Sequence, residues 1–403
     1  MKRSTLFSGA GAIALSLVTL IGCSSTKPTV DAPSSTAPAA SASSSDSGAG
    51  SSTDASSGAG SEISSESAGA ASSEGTSSGE ASGSSEASGS SEASGSSKAS
   101  GSSEASGAAP SKASKDYKLS FIQGVTGDNF YITMQCGIES EAKKLGVTVN
   151  TQGPSKFDPT LQKPILDSVV QSKPDAILIA PTNVDAMQAP LAAAAAAGIK
   201  VILVDTTTSD PSYSASQIAS DNTGGGKAAF DAVKQLAPNG GKVLVVSVDP
   251  GISTTDARTK GFQDAAKADS KFTDLGVQYS HNDPPTAASI VTAALQKDPD
   301  IVGIFATNLF AAQGSATGIQ QAGKQGKVAV IGFDAGPDQI AALKAGTVQA
   351  LVAQQPNTIG VDGVQQAVLA LDGGKNTAKI QTGFSIITAD NVASTKDAYV
   401  SKC

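Results

Sequence analysis

Between residues 117 and 354 the chain repeatedly alternates short apolar runs with longer stretches of helical periodicity. The runs fall at 117–123, 147–151, 176–180, 200–205, 242–249, 276–280, 301–305, 328–333 and 348–354. Helical patterns fill the gaps, among them 130–145, 185–197, 226–236 and 308–322. Runs such as Ala176-Ile177-Leu178-Ile179-Ala180 and Val243-Leu244-Val245-Val246 are apolar without interruption. A strand with one wet face alternates polar and apolar residues. An unbroken run belongs to a strand covered on both faces, as in a parallel sheet. Repeated β-α units of this kind predict a doubly wound α/β architecture. Nine or more strands within 115–403 are many for one lobe, so two similar lobes are expected.

Nothing upstream of residue 115 can join that core. All five Tyr and ten of the eleven Phe lie after residue 114. Residues 24–114 are almost entirely Ser, Ala, Gly and Glu. Within 80–107, Glu-Ala-Ser-Gly-Ser-Ser recurs from Glu80, Glu86 and Glu92, then with Lys98 in place of Glu, then as Glu-Ala-Ser-Gly from Glu104. A segment so poor in large apolar groups does not recover the entropy lost on ordering. The repeat offers nothing larger than alanine with which to stack into a solenoid. The expectation for 23–114 is therefore a disordered linker, about 91 residues long with an r.m.s. span of roughly 50–57 Å.

The first residues set the compartment. Lys2 and Arg3 precede an apolar stretch over 6–21. It falls short of the ~20 apolar residues that cross a bilayer and has the form of a secretory signal, expected over 1–22. It ends in Leu20-Ile21-Gly22-Cys23, which resembles the lipobox of bacterial lipoproteins. That resemblance implies cleavage before Cys23 and a diacylglyceryl group on its sulfur. The protein would then be extracytoplasmic, anchored to the outer face of the cell membrane.

Charge and motif content narrow the function class. Five of the 28 basic and ten of the 36 acidic residues precede residue 115, leaving 23 and 26 in the folded part. That part has no basic run longer than a Lys-Lys pair, whereas nucleic-acid binding needs a concentrated positive surface. One histidine and three cysteines argue against a His- or Cys-rich metal site, and no cofactor is expected. Gly224-Gly225-Gly226-Lys227 lacks the spacing of a phosphate loop. It reads instead as the opening of a helix after a turn at Asp221-Asn222, with Thr223 as its cap. No Gly-x-Ser-x-Gly elbow follows any of the strands, and His281, the single imidazole, sits at a strand end. No catalytic set is present, and a binding protein rather than an enzyme is expected.

The strand ends carry more information. Gly127-Asp128-Asn129-Phe130-Tyr131 follows the first strand and Ile179-Ala180-Pro181-Thr182 closes the third. Val204-Asp205, Ile218-Ala219-Ser220-Asp221-Asn222 and Ala257-Arg258-Thr259-Lys260-Gly261-Phe262 come next. Ala306-Thr307-Asn308, Gly332-Phe333-Asp334 and Ala353-Gln354-Gln355-Pro356 complete the series. In this order and spacing they resemble the type I periplasmic binding proteins, in particular the ribose-binding-like subunits of sugar ABC importers, over nearly all of 117–390.

The resemblance implies two doubly wound parallel-sheet lobes joined by a three-strand hinge, with crossings near Ser220, Gln354 and Gly383. The N-terminal lobe would comprise 117–220 plus 355–383, and the C-terminal lobe and tail 221–354 plus 384–403. A ligand would be enclosed between them by hinge closure and passed to a membrane-embedded ABC permease. The implied ligand contacts are Asp128, Phe130, Tyr131, Asp205, Arg258, Asn282, Asn308, Asp334 and Gln354. The protein itself is expected to be a monomer.

Elementary chemistry points to the same place. Ligands of open α/β sheets bind beyond the carboxyl ends of strands, and Asp128, Asp205, Asn308 and Asp334 each follow directly on an apolar run. Carboxylates accept hydrogen bonds from vicinal hydroxyls, while Asn, Gln and Arg supply donors. Phe130 and Tyr131 can lie against the apolar face of a sugar ring. The ribose-binding pattern has an arginine where this chain has Thr206, and an aromatic where Asn282 falls. Three carboxylates then face one arginine.

The expected ligand is a neutral sugar or sugar alcohol, with an amino sugar or another cationic solute as the alternative. A receptor that signals to a sensor protein is the alternative to a transport role. With Cys23 assigned to the lipid, Cys136 and Cys403 remain, and outside the cytoplasm they are expected to pair.

Overall fold

The computed structural model describes residues 109–403. The expected signal segment, Cys23 and nearly all of the Ser/Gly-rich tract lie outside the described residues. The tract's last residues correct the expected boundary at 114: Ala113 packs on the core with its N–H on the Leu145 carbonyl at 2.9 Å, and Ser114 N–H donates to Asp372 Oδ2 at 3.2 Å. Among the described residues, no helix is long and apolar enough to cross a membrane.

The chain first builds β1 (Lys118–Ile122), α1 (Asn129–Leu145), β2 (Thr148–Gln152) and α2 (Pro159–Gln171). It continues with β3 (Ala176–Ile179), α3 (Gln188–Ala196), β4 (Lys200–Val204) and β5 (Ser216–Ser220). A second series follows: α4 (Asn222–Leu236), β6 (Gly241–Ser247), α5 (Ser253–Lys267), β7 (Phe272–Tyr279) and α6 (Pro284–Lys297). It ends with β8 (Ile301–Ala306), α7 (Leu309–Gln321), β9 (Ala329–Phe333), α8 (Pro337–Lys344) and β10 (Ala350–Gln354). Helix α9 (Pro356–Leu371) and β11 (Lys379–Thr382) return to the first series, and β12 (Phe384–Thr388) to the second.

Two six-stranded sheets result, ordered β11-β5-β4-β3-β1-β2 and β12-β10-β9-β8-β6-β7. Every pairing is parallel except β10 with β12. The chain passes between the sheets after β5, after β10 and between β11 and β12, so the two lobes share a hinge of three crossings.

Why these segments form these strands is visible in their burial. All four residues of β3 and all five of β9 are buried, as unbroken apolar runs require. Beneath α4 and α5, Phe230, Phe262, Phe272, Phe305 and Phe333 pack into one cluster. Phe262 and Phe305 stack with centroids 5.0 Å apart, and Phe305 leads on to Phe333 at 6.3 Å. Each buried phenyl ring contributes about 1.5–3 kcal/mol, and the series ends directly beneath the cleft.

Three strands are absent from the apolar runs. β5 reads Ser-Gln-Ile-Ala-Ser, with alternate residues buried, and β11 is a polar edge strand. β12 is the other sheet's edge and is only half-buried along most of its length. Their polar faces break the apolar run that marks a strand buried on both sides.

Helix α4 also begins earlier than its sequence pattern suggests, and its cap is Asp221 rather than Thr223. The Asp221 carboxylate accepts from the Gly224 backbone N–H at 2.9 Å. The three glycines lie inside the helix, where a Cβ on Gly226 would stand 1.9 Å from the Arg258 carbonyl oxygen and one on Gly225 2.8 Å from Phe333. They let α4 press against α5 and the aromatic cluster.

Candidate functional site

Helix caps and left-handed strand ends bring the functional side chains together. Asp128 caps α1, its Oδ1 accepting from the Phe130 N–H at 2.8 Å. Asn308 caps α7 through Ala311 N–H at 3.1 Å. Capping fixes both residues at the carboxyl ends of β1 and β8. Asp205 and Asp334 follow β4 and β9 with φ of 64° and 77°, in the left-handed region that Asp tolerates better than most residues. Asn282, after β7, has φ of 57°. Arg258 sits on α5, buried, with its guanidinium 3.8 Å from the Phe333 ring centroid.

All nine residues singled out in the sequence line one cavity between the lobes. Asp128, Phe130, Tyr131 and Asp205 come from the first lobe. Arg258, Asn282, Asn308 and Asp334 come from the second, and Gln354 from the hinge. Phe157, Val248, Ile252, Thr254 and Thr255 complete the lining. Across the rim, Val184 N–H donates to the Gly251 carbonyl and Thr207 N–H to Ser253 Oγ, both at 3.0 Å, so the cleft is shut.

Tyr131 does more than present an aromatic face. Its hydroxyl donates to Asp205 Oδ2 at 2.7 Å, and its ring meets Phe130 edge-on with centroids 5.2 Å apart. Arg258 Nε donates to Asn222 Oδ1 at 2.8 Å and a terminal nitrogen to the Thr307 carbonyl at 2.9 Å. Asn308 Nδ2 donates to Asn282 Oδ1 at 2.7 Å. Asp334 accepts from Gln354 Nε2 at 2.7 Å, from Leu309 N–H at 3.1 Å and from the Tyr399 hydroxyl at 3.0 Å. Ser220 Oγ holds Gln354 Oε1 at 2.7 Å.

Electrostatics follow from three buried carboxyls around one guanidinium. Burial, and then the charge of Asp334, push Asp128 up to about 7. Burial pushes Asp205 up to about 6, with Arg258 and the Tyr131 hydroxyl pulling the other way. Asp334 is raised by burial against the same guanidinium and its own three donors. Such a cavity offers acceptors that gain strength as they ionise, beside a fixed cation and amide donors.

The sequence reading missed Phe157, Val248, Ile252, Thr254, Thr255 and Tyr399. Thr254, Thr255 and Arg258 stand at i, i+1 and i+4 on α5, so helical periodicity from Arg258 would have recovered the two threonines. Phe157 is an aromatic in the loop after β2, another strand end. Tyr399 carries no local signal at all.

A buried cavity between two doubly wound lobes on a three-crossing hinge defines a two-lobed ligand-binding protein. Residues 119–375 match the periplasmic binding protein domain, and the chain belongs to that family. It is 31% identical over 274 residues to the ribose import binding protein of Bacillus subtilis, covering 68% of this chain and 88% of that protein. Against the D-allose-binding periplasmic protein of Escherichia coli it is 31% identical over 254 residues, 61% of this chain and 82% of that one. Among solved structures, an ABC transporter solute binding protein from Agrobacterium vitis bound with α-D-tagatopyranose superposes with a TM-score of 0.69. That pair shares 40% identity over 70% of this chain and 99% of the other.

Proposed function

We propose that the protein is an extracytoplasmic solute-binding lipoprotein that captures a small neutral sugar or sugar alcohol by hinge closure and delivers it to an ABC importer. One observation carries the reading: nine polar and aromatic residues from both lobes and the hinge converge on a single cavity. Two carboxylates on one wall, and a third beside a guanidinium and amides on the other, match the acceptor-and-donor needs of vicinal hydroxyls. The relatives' names, ribose- and D-allose-binding among them, support a sugar.

A ligand touching both walls stabilises the shut state by contacts the open state lacks, and that differential drives closure. The moving bodies are 117–220 with 355–383, and 221–354 with β12. The expected assignment of 389–403 to the second lobe is corrected by the contacts of Val400 and Cys403 with α1, which tie the end of that segment to the first lobe. Cys23 would carry the lipid and the Ser/Gly-rich tract would act as tether. Pairing of Cys136 with Cys403 belongs to the same proposal, and mass analysis without reductant should find no alkylatable thiol at either position.

A thermal-shift screen of pentoses, hexoses and sugar alcohols, with amino sugars and amino acids alongside, tests the reading. A binder at 100-fold over its Kd adds about 2.7 kcal/mol to stability. A neutral sugar that shifts the wild type but not Asp205→Ala supports class and site together. Shifts from cationic solutes alone would sink the neutral-sugar assignment.

A further inference from the structure

Beyond β12 the chain does not simply end. Residues 389–403 leave the second lobe, pass behind the cavity and finish on the first. Ser385 Oγ donates to Asp397 Oδ2 at 2.6 Å, which starts the segment along its own lobe. Tyr399 follows, 5% exposed, with its backbone N–H on the Ala335 carbonyl at 2.9 Å. Its hydroxyl donates to Asp334 Oδ1 at 3.0 Å and accepts from the Gln354 backbone N–H at 3.0 Å. The Tyr399 ring meets Phe130 of the first lobe at a centroid distance of 6.0 Å. One residue later the allegiance changes. Val400 N–H donates to Thr133 Oγ1 at 2.9 Å and the Val400 carbonyl accepts from Asn129 Nδ2 at 3.2 Å, both on α1. Cys403 is then joined to Cys136, also on α1, by a disulfide.

We infer that this C-terminal segment is a disulfide-held strap across the two lobes, and that Tyr399 on it is a positioning residue for Asp334 and Gln354. The inference rests on the reading that the cavity takes a polyhydroxylated ligand, and it adds a residue that no strand-end pattern contains. A buried carboxylate has no water to orient it, so its donors decide where its lone pairs point. Asp334 has three such donors, and Tyr399 is the one that comes from outside the lobe's sheet, helices and hinge. The same hydroxyl gives the buried Gln354 N–H its acceptor, so one side chain fixes two neighbouring wall residues. Residues 400–402 alone separate Tyr399 from the cysteine bound to α1. A chain spans at most about 3.6 Å per residue, so the tie at Cys136 keeps the tyrosine close to its partners. Without it no covalent link would hold the segment to α1.

The test compares the oxidised wild type with Tyr399→Phe and Cys403→Ser, and with wild type treated with a thiol reductant. Tyr399→Phe keeps the ring against Phe130 and removes only the hydroxyl. The first readout needs no sugar: carbon-detected NMR titration of the Asp334 carboxyl. Losing a donor that favours the ionised form should move the Asp334 midpoint upward in Tyr399→Phe, and by the same sense in Cys403→Ser and in reduced wild type. The second readout is calorimetric titration with D-tagatose, D-allose and D-ribose. Whichever binds wild type should bind Tyr399→Phe about tenfold more weakly, with a lower melting midpoint because the buried Gln354 N–H loses its acceptor.

An Asp334 midpoint that stays put in all three cases overturns the inference, as does an unchanged Kd in Tyr399→Phe. A shift in Tyr399→Phe but not in Cys403→Ser or reduced protein would overturn the role of the disulfide. If none of the sugars binds wild type, the reading of the cavity is what fails for them, and the Asp334 titration still decides the positioning role.

Discussion

The two lobes correspond strand for strand, with β4 answering to β9 at the same place in each sheet order. Asp205 and Asp334 occupy the same point, just past that strand, both in the left-handed region. Their surroundings differ. Asp334 is held by three donors, whereas among the described residues Asp205 accepts only from Tyr131. Asp128 accepts only from Phe130 N–H. On the second lobe Arg258, Asn282 and Asn308 are likewise tied into neighbouring groups. One wall of the cleft is fixed in advance and the other keeps open acceptor positions. Symmetric topology therefore supplies two equivalent ledges, and side-chain partners make one rigid and the other receptive. Preorganised groups lose less on binding, and the receptive carboxylates are the ones left for ligand hydroxyls.

The largest expected effect falls on the fixed wall. Arg258→Ala removes the guanidinium that faces three buried carboxyls, and breaking a buried charge arrangement costs about 3–5 kcal/mol. Binding should weaken at least about 100-fold in calorimetric titration, with a lower melting midpoint. On the receptive wall, Asp205→Asn keeps the shape and the Tyr131 partner but loses charge-assisted acceptance, about 1.5–3 kcal/mol. Binding should weaken about 10- to 100-fold. If Asp205→Asn proves the more damaging, the division of labour between the walls is wrong.

Legibility in the sequence followed the physics of burial. Seven of the nine strands read from the sequence, β1, β3, β4, β6, β8, β9 and β10, are mostly buried, and burial keeps most polar residues out of them. By contrast β2 and β7, at the sheet edges, were readable only from their β-branched and aromatic residues. β5, β11 and β12 were not, because a polar or half-buried strand loses that signature. Asp128, Asp205, Asn308 and Asp334 were readable because a strand end in an α/β sheet is a fixed address, while the other five site residues, Arg258 on α5 among them, came from the family resemblance. Ile252 and Val248 escaped because apolar wall residues look like any other apolar residue. Tyr399 escaped for a different reason: its partner Asp334 is brought to it by a chain reversal that no local pattern encodes.

The receptive wall answers to pH through its two open carboxyls. Asp128 and Asp205, pushed up to about 7 and about 6, bind more protons folded than unfolded between about pH 4 and 7. Stability of the ligand-free protein from these groups therefore falls as pH rises through that window. Ligand hydroxyls donating to the same carboxylates favour the ionised form and lower those midpoints on binding. Affinity should then rise with pH through about 6–7, roughly tenfold for each unit by which binding lowers a midpoint. Titrations between about pH 5 and 8 check this, and Asp128→Asn should flatten the curve. A profile unchanged by that substitution would mean the open carboxylate takes no part.

The smallest effect separates backbone from side chain at the edge of the fixed wall. Asn282 holds φ of 57° and accepts from Asn308 Nδ2 at 2.7 Å. Asn282→Gly keeps the left-handed backbone at no steric cost and removes only the amide. Asn282→Ala removes the amide and adds left-handed strain of about 1–2 kcal/mol. If the amide serves the ligand, both variants should bind about threefold to tenfold more weakly, and only the alanine should melt earlier. Should the glycine variant bind like wild type while the alanine does not, Asn282 contributes its backbone conformation alone. The fixed wall would then depend on Asn308 being oriented by its capping of α7 rather than by its partner across the loop.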